Sequence, residues 1–153
     1  MITIRVRGHV RAANYVGAMG RRAGNLRPIF MIIQQDFRRI QRDQFASQGR
    51  RGGGGRWKDI SDKWRNYKMS QGFDPRILHM THALVDSLTK PRARGAYFRI
   101  RGDSMAMGTT IPYAAILDPE RPIIGVRYTD EVQWADWMGV YIAKGYVPGT
   151  GLA

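Results

Sequence analysis

Ile29, Ile33, Phe37 and Ile40 recur at the three- and four-residue spacing of one helix face, and Phe30 and Phe45 fall close to the same stripe. Arg38, Arg39, Arg42 and Asp43 lie mostly off it. Pro28 opens the pattern where its missing N–H costs nothing, and Gly49 offers a stop. The spacing predicts a helix over 28–47. After Pro75, the residues Ile77, Leu78, Thr81, Leu84, Val85 and Leu88 predict another. A last amphipathic helix is expected over roughly 130–144, with Val132, Trp134, Ala135, Met138 and Ile142 on its apolar side. Ser61 is placed to cap a short helix running through Trp64 and Lys68.

Other stretches alternate instead. Ile2, Ile4 and Val6 share one face of an expected short strand. Residues 96–101 predict a strand, Gly102-Asp103 a turn and Ser104–Gly108 the returning strand. Tyr113 to Leu117 suggests a helical turn, and Ile123 to Val126 a short strand. Residues 8–27 show no clear period. The glycines at 52–55 cannot continue a helix, since each costs about 1 kcal/mol there. The order predicts an α+β fold: a long N-terminal helix and shorter helices on a small antiparallel sheet, with a mobile Gly/Arg loop. One domain is expected over 1–148, with 48–56 as the flexible basic loop and 149–153 as a loose tail. Trp57 and Trp64 are expected as core anchors.

Charge divides the chain unevenly. Residues 1–68 carry 16 Lys/Arg against 4 Asp/Glu, while residues 69–153 carry 9 against 8. The first half therefore looks built to meet something anionic. The excess is mostly arginine, whose rigid fork suits phosphate or carboxylate equally. No cysteine is present, which excludes disulfides and thiolate metal sites. No apolar run reaches the ~18 residues of a membrane span, and the N-terminus lacks the continuous apolar core of a signal peptide. The expectation is an intracellular product with no membrane partner.

Catalytic chemistry finds little support. His79, His82 and Asp86 have a spacing that would share a helix face and hold a metal, yet they flank an apolar stripe and need only be structural. Ser61, Ser87 and Ser104 lack any activating motif. The glycine run lacks the Gly-Lys-Ser/Thr ending of a phosphate-binding loop. No enzyme, cofactor or metal is expected. Nucleic-acid binding is the more serious alternative, because Arg56-Trp57, Trp64-Arg65 and Tyr67-Lys68 interleave cations with aromatics.

One ordered set of motifs is more specific. It runs Gly55-Arg56-Trp57, Ile60-Ser61, Lys68, Ile77 to Leu88 with Leu78, Leu84 and Ser87, Met107-Gly108, Pro112-Tyr113-Ala114, and Arg121-Pro122-Ile123-Ile124-Gly125. In order and spacing the chain resembles a divergent branch of the phage virion morphogenesis (tail completion) family, over about residues 28–144. His82 stands where that family often has glycine, and Leu117 to Glu120 replace a His and a Gly. The resemblance implies a structural virion protein: a ring, hexameric by analogy, at the head-proximal end of the tail or in the neck. It would complete the tail and join it to the head, with DNA passing through the lumen. Its partners would be copies of itself, the tail tube, a head connector or stopper, and non-specifically the genome. It would be assembled in the host cytoplasm and reside at the head–tail junction. Trp57, Leu78, Leu84, Ser87, Tyr113, Ala114, Arg121, Pro122 and Gly125 would define the fold. Arg50, Arg51 and Arg56 would meet a partner ring or DNA.

Overall fold

The computed structural model of the chain describes residues 9–147 and 149, with side chains from residue 14 onward. The strand expected over 2–7, and nearly all of the tail beyond 148, lie outside them. The fold is α+β, with six helices and a two-stranded antiparallel sheet among the described residues. Helix α1 (His9–Ala23) leads into α2 (Arg27–Ala46), followed by a single 3-10 turn at Arg50–Gly52. Then come α3 (Asp62–Ser70), α4 (Ala83–Thr89), strands β1 (Ala96–Arg101) and β2 (Ser104–Thr109), the one-turn α5 (Ala114–Leu117) and α6 (Tyr128–Lys144).

Helix α2 is the axle of the molecule, and its apolar stripe serves two cores in succession. Its first half places Ile29, Phe30 and Ile33 against Tyr141 and Val147, with Trp137, Met138 and Ile142 of α6 packed around them. Its second half places Phe37 and Phe45 against Trp57, Ile77, Leu84, Leu88, Ala114 and Ile123. Met107 and Trp134 touch both clusters. The 20 residues of α2 match the expected helix, but α2 is the second element of the chain. The region expected to lack a period forms α1. Gly17 and Gly20 lie within it and weaken its intrinsic preference. Its anchor is tertiary: the Arg22 guanidinium donates to the Ile142 and Ala143 carbonyls, both at 2.6 Å, capping the C-terminus of α6.

The hairpin follows its alternation. Phe98 pairs with Met107 and Ile100 with Met105 on the inner face, while Tyr97, Arg99 and Arg101 point outward. Gly102 takes φ +58° in the turn, which glycine adopts without steric cost. Ser61 caps α3 as expected, its hydroxyl accepting the Trp64 N–H at 3.3 Å.

Three expectations are corrected. The helix expected after Pro75 begins only at Ala83, because Leu78 and His82 adopt φ of +62° and +58°, values no right-handed helix contains. Ile77 still reaches the core, and Leu78 packs on its edge, so the apolar spacing there reports burial without a helix. Residues 123–126 form no strand. Their backbone is held instead by side chains: the Gln41 side-chain oxygen of α2 accepts the Gly125 N–H at 3.3 Å, and the Asp118 carboxylate accepts the Ile123 N–H at 2.8 Å. Finally, Trp64 is no core anchor. It is 43% exposed and stacks on Tyr67 at 5.1 Å.

Candidate assembly surface

Four of the motif residues, Trp57, Arg121, Pro122 and Gly125, meet at one junction. Trp57 is buried and packs edge-on against Phe45 at 5.3 Å, and its indole N–H donates to the Pro122 carbonyl at 2.8 Å. The Gln44 amide donates to the same carbonyl at 2.9 Å. Arg121 turns back the other way, its Nε donating to the Lys58 carbonyl at 3.0 Å. Gly125 permits this approach, since a Cβ there would stand 2.7 Å from the Gln44 Cβ. Gly49 has the same role under the indole, where a Cβ would fall 2.5 Å from Trp57 Cδ1. Elsewhere in the core, Ser87 bridges α4 to β2 through a 2.7 Å hydroxyl contact with Thr109. Leu84 and Ala114 are buried, Leu78 is partly so, and Tyr113 is exposed.

The sequence reading missed the glutamines. Gln34, Gln41 and Gln44 are buried at positions continuous with the apolar stripe of α2. Their spacing of seven and three residues was the available signal. Gln44 works at both ends, its amide on Pro122 and its oxygen accepting the Gly52 N–H at 2.7 Å.

That contact bears on the loop expected to be mobile. Residues 48–52 are tied down: Gly49 N–H donates to Gln44 O, Arg51 N–H to Ser47 Oγ, and Trp57 N–H closes the loop onto Gln48 O at 2.8 Å. The three loop arginines therefore divide. Arg51 is turned inward, its guanidinium on Asp130 at 2.7 Å and on the Gly125 carbonyl at 3.2 Å. Asp130 also accepts the Arg127 N–H at the start of α6, and Arg127 Nε donates to the Arg51 carbonyl. Burial acts to raise the Asp130 carboxyl, but the Arg51 hydrogen bond, the Arg127 N–H and both positive charges outweigh it and hold the group below its ordinary value. Arg51 is thus a structural bolt between loop and α6. Arg50 and Arg56 remain exposed, Arg56 in a loose 3.7 Å pair with Asp59.

The histidines do not share a helix face. His79 is buried and His82 exposed, with their rings 5.5 Å apart edge to face. The His79 Nδ1 lies 2.8 Å from the Ile77 carbonyl, which can only accept, so Nδ1 carries the proton of the neutral ring. His82 lies 3.4 Å from Asp74, whose carboxylate is held by Arg76. Among the described residues, no three His, Asp or Glu side chains gather as metal ligands.

Burial, aided by the Arg76 and His82 charges and opposed by the Ile77 carbonyl and Asp74, holds the His79 pKa below its ordinary value. Between the folded and unfolded values the unfolded chain binds a proton that the native chain does not. Stability therefore falls as pH drops below about 6.5, by at most about 1.4 kcal/mol per pH unit. Asp74 and Asp130 are held low, so their contributions are lost only in stronger acid. Urea titrations at pH 7.5 and 5.5 should show the loss in wild type and a much smaller one in His79→Leu. Equal losses in both proteins would assign it elsewhere.

Two surface features stand outside this junction. The first is an apolar groove of about 390 Å³ between α3, the 77–81 segment and α5. Trp64, Leu78, Tyr113 and Ile116 line it, with Lys68 and Arg121 as its only charged residues. Lys68 is 2% exposed; its ammonium donates to the Arg76 carbonyl at 2.7 Å, and burial lowers its pKa against the pull of Asp74. The second is a row of exposed cations, Lys90, Arg92, Arg94, Arg99 and Arg101, with no acid between them in sequence. The near-neutral count of the second half hid this row, because it averages against the acids at 118–136. No family model, curated protein or solved structure matches this chain.

Proposed function

We propose that the chain is a structural virion protein that forms a ring in the neck or at the head-proximal end of a phage tail. What supports this most is the convergence of two motif segments on one junction. The Gly-x-Trp and Arg-Pro-x-x-Gly segments, 65 residues apart at Trp57 and Pro122, are joined by the indole N–H of Trp57, whose backbone N–H separately closes the loop between α2 and α3 onto Gln48. Such a junction gives the subunit a rigid frame and leaves its groove and cationic row facing outward.

On this reading the mechanism is geometric. A ring ends tube growth or offers the head connector a docking face, and its lumen carries DNA. The row Arg92, Arg94, Arg99 and Arg101 has no carboxylate within ion-pair distance among the described residues. It is the candidate for passing phosphates, where diffuse contact without sequence reading suits a conduit. Arg50 and Arg56 face the neighbouring ring.

Native mass spectrometry and negative-stain imaging of the purified chain, free of nucleic acid and over a concentration series, test the reading. A closed oligomer of defined copy number is expected. A monomer at all concentrations, binding DNA with an affinity that falls steeply with salt, would favour a nucleic-acid-binding protein instead.

A further inference from the structure

The outward face of α6 carries Tyr128, Val132, Ala135 and Gly139, spaced four, three and four residues apart, so they form one continuous stripe. All four are exposed, Tyr128 by 78% and Val132 by 42%. The stripe narrows from a large aromatic to two small residues, and a Cβ at Gly139 would meet nothing within 4 Å. Glu131 and Asp136 flank it, both exposed and without a cation in ion-pair range among the described residues. In a chain of net charge +13 this is a local acidic face.

The groove between α3 and α5 is its complement. Trp64, Tyr113 and Ile116 are 43%, 42% and 78% exposed. Lys68 is buried with its ammonium on a backbone carbonyl, so the charge at the rim is Arg121, which holds the Lys58 carbonyl and has no carboxylate in ion-pair range among the described residues. One face is thus an apolar ridge edged by acids, and the other an apolar trough with one cation, Arg121, at its rim. A helix laid in a groove is read through this kind of i, i+4, i+7 stripe.

The two faces do not meet within one chain, because α6 is fixed at several points. Asp130 is held by Arg51, Trp134 donates to Asp36 at 2.9 Å, Tyr141 donates to the Asn25 carbonyl at 3.0 Å, and Arg22 caps the last turn. We propose that the α6 stripe of one copy seats in the α3–α5 groove of the next. The contact is heterologous: each copy offers a ridge on one side and a trough on the other, and repetition closes a ring or extends a filament. It rests on the ring reading above and names its subunit interface.

The cysteine-free chain allows a direct test. Ile116→Cys and Val132→Cys, both at exposed positions, are introduced singly and together. The full-length proteins are treated with a short bis-maleimide and run on denaturing gels, with native mass spectra of the same samples. The double variant should give a ladder of covalent multimers, while each single variant stays monomeric. Adding Glu131→Lys and Asp136→Lys to the double variant should cut the ladder yield at least tenfold. Dimers from Ile116→Cys alone would mean groove against groove, and would overturn the proposal. A ladder indifferent to the charge reversal would overturn it as well. No ladder from a sample that is a ring by native mass spectrometry would refute these faces and leave the ring standing. No ladder and no oligomer would remove both.

Discussion

Replacing Trp57 with alanine is expected to lower the unfolding free energy by about 3–5 kcal/mol, the range for removing a buried indole. For a chain of this length that corresponds to a melting temperature lower by roughly 10 °C. The size of the effect follows from three roles. The ring fills the core beside Phe45, its N–H holds the Pro122 carbonyl, and its five-membered edge lies over Gly49. Trp57→Phe separates the roles, keeping most of the packing and losing the hydrogen bond, for a loss of about 1–2 kcal/mol. Gly49→Ala attacks the same spot from below. Its φ of +99° is left-handed and its new Cβ would stand 2.5 Å from the indole, so it too should destabilise strongly. Thermal and urea unfolding by circular dichroism measure all three. A Trp57→Ala protein as stable as wild type would show that the junction does not hold the fold together.

Arg51→Ala is expected to destabilise by about 3 kcal/mol, the lower end for breaking one side of a buried ion pair. Asp130 would keep the Arg127 N–H but lose its cation, and the Gly125 carbonyl would lose a donor. Arg50→Ala and Arg56→Ala, at exposed positions, should each fall within about 0.5 kcal/mol of wild type. The contrast matters for assembly experiments. A variant lacking all three arginines would confound a lost contact with a weakened fold. The Arg50→Ala/Arg56→Ala pair alone tests whether the loop meets a partner. Equal stabilities for all three single variants would contradict the assignment of Arg51 as a bolt.

The elements legible in the sequence were those whose cause is local. Helix α2 follows from its stripe and Pro28, the hairpin from alternation around Gly102-Asp103, and α3 from its serine cap. Helix α6 was legible in extent, but only in part in orientation. Val132 and Ala135, expected inside, face out, and Trp137 and Tyr141 pack inward. What the sequence hid depends on partners far along the chain. Arg51 looks like any loop arginine until Asp130, 79 residues later, is placed beside it. Residues 123–126 read as a short strand, yet the side chains of Asp118, Gln41 and Arg51 supply their hydrogen bonds. Helix α1 is stabilised by Arg22 at the end of α6, a contact no periodicity reports.

The charge asymmetry, too, changes meaning once residues are placed. Among the cations of the first half, Arg51 and Lys68 are bound inside the fold, Arg22 caps a helix, and Arg39 pairs with Asp36 and Asp43. The uncompensated surface charge includes the 90–101 row of the second half, apart from Lys90, which pairs with Asp86. A reading that assigned anion contact to the first half alone was therefore too simple. The proposed arrangement has one acid-edged ridge and one apolar trough with Arg121 at its rim for copies of the chain, and a basic row for what passes through.

Position in the particle tests this account most directly. On the proposed reading, a density map of the particle made from the genome that encodes this chain should place the chain as a closed ring at the head–tail junction, with α6 of each copy against α3 and α5 of the next. A ring elsewhere in the particle, or a virion that contains no copy of the chain, would contradict it.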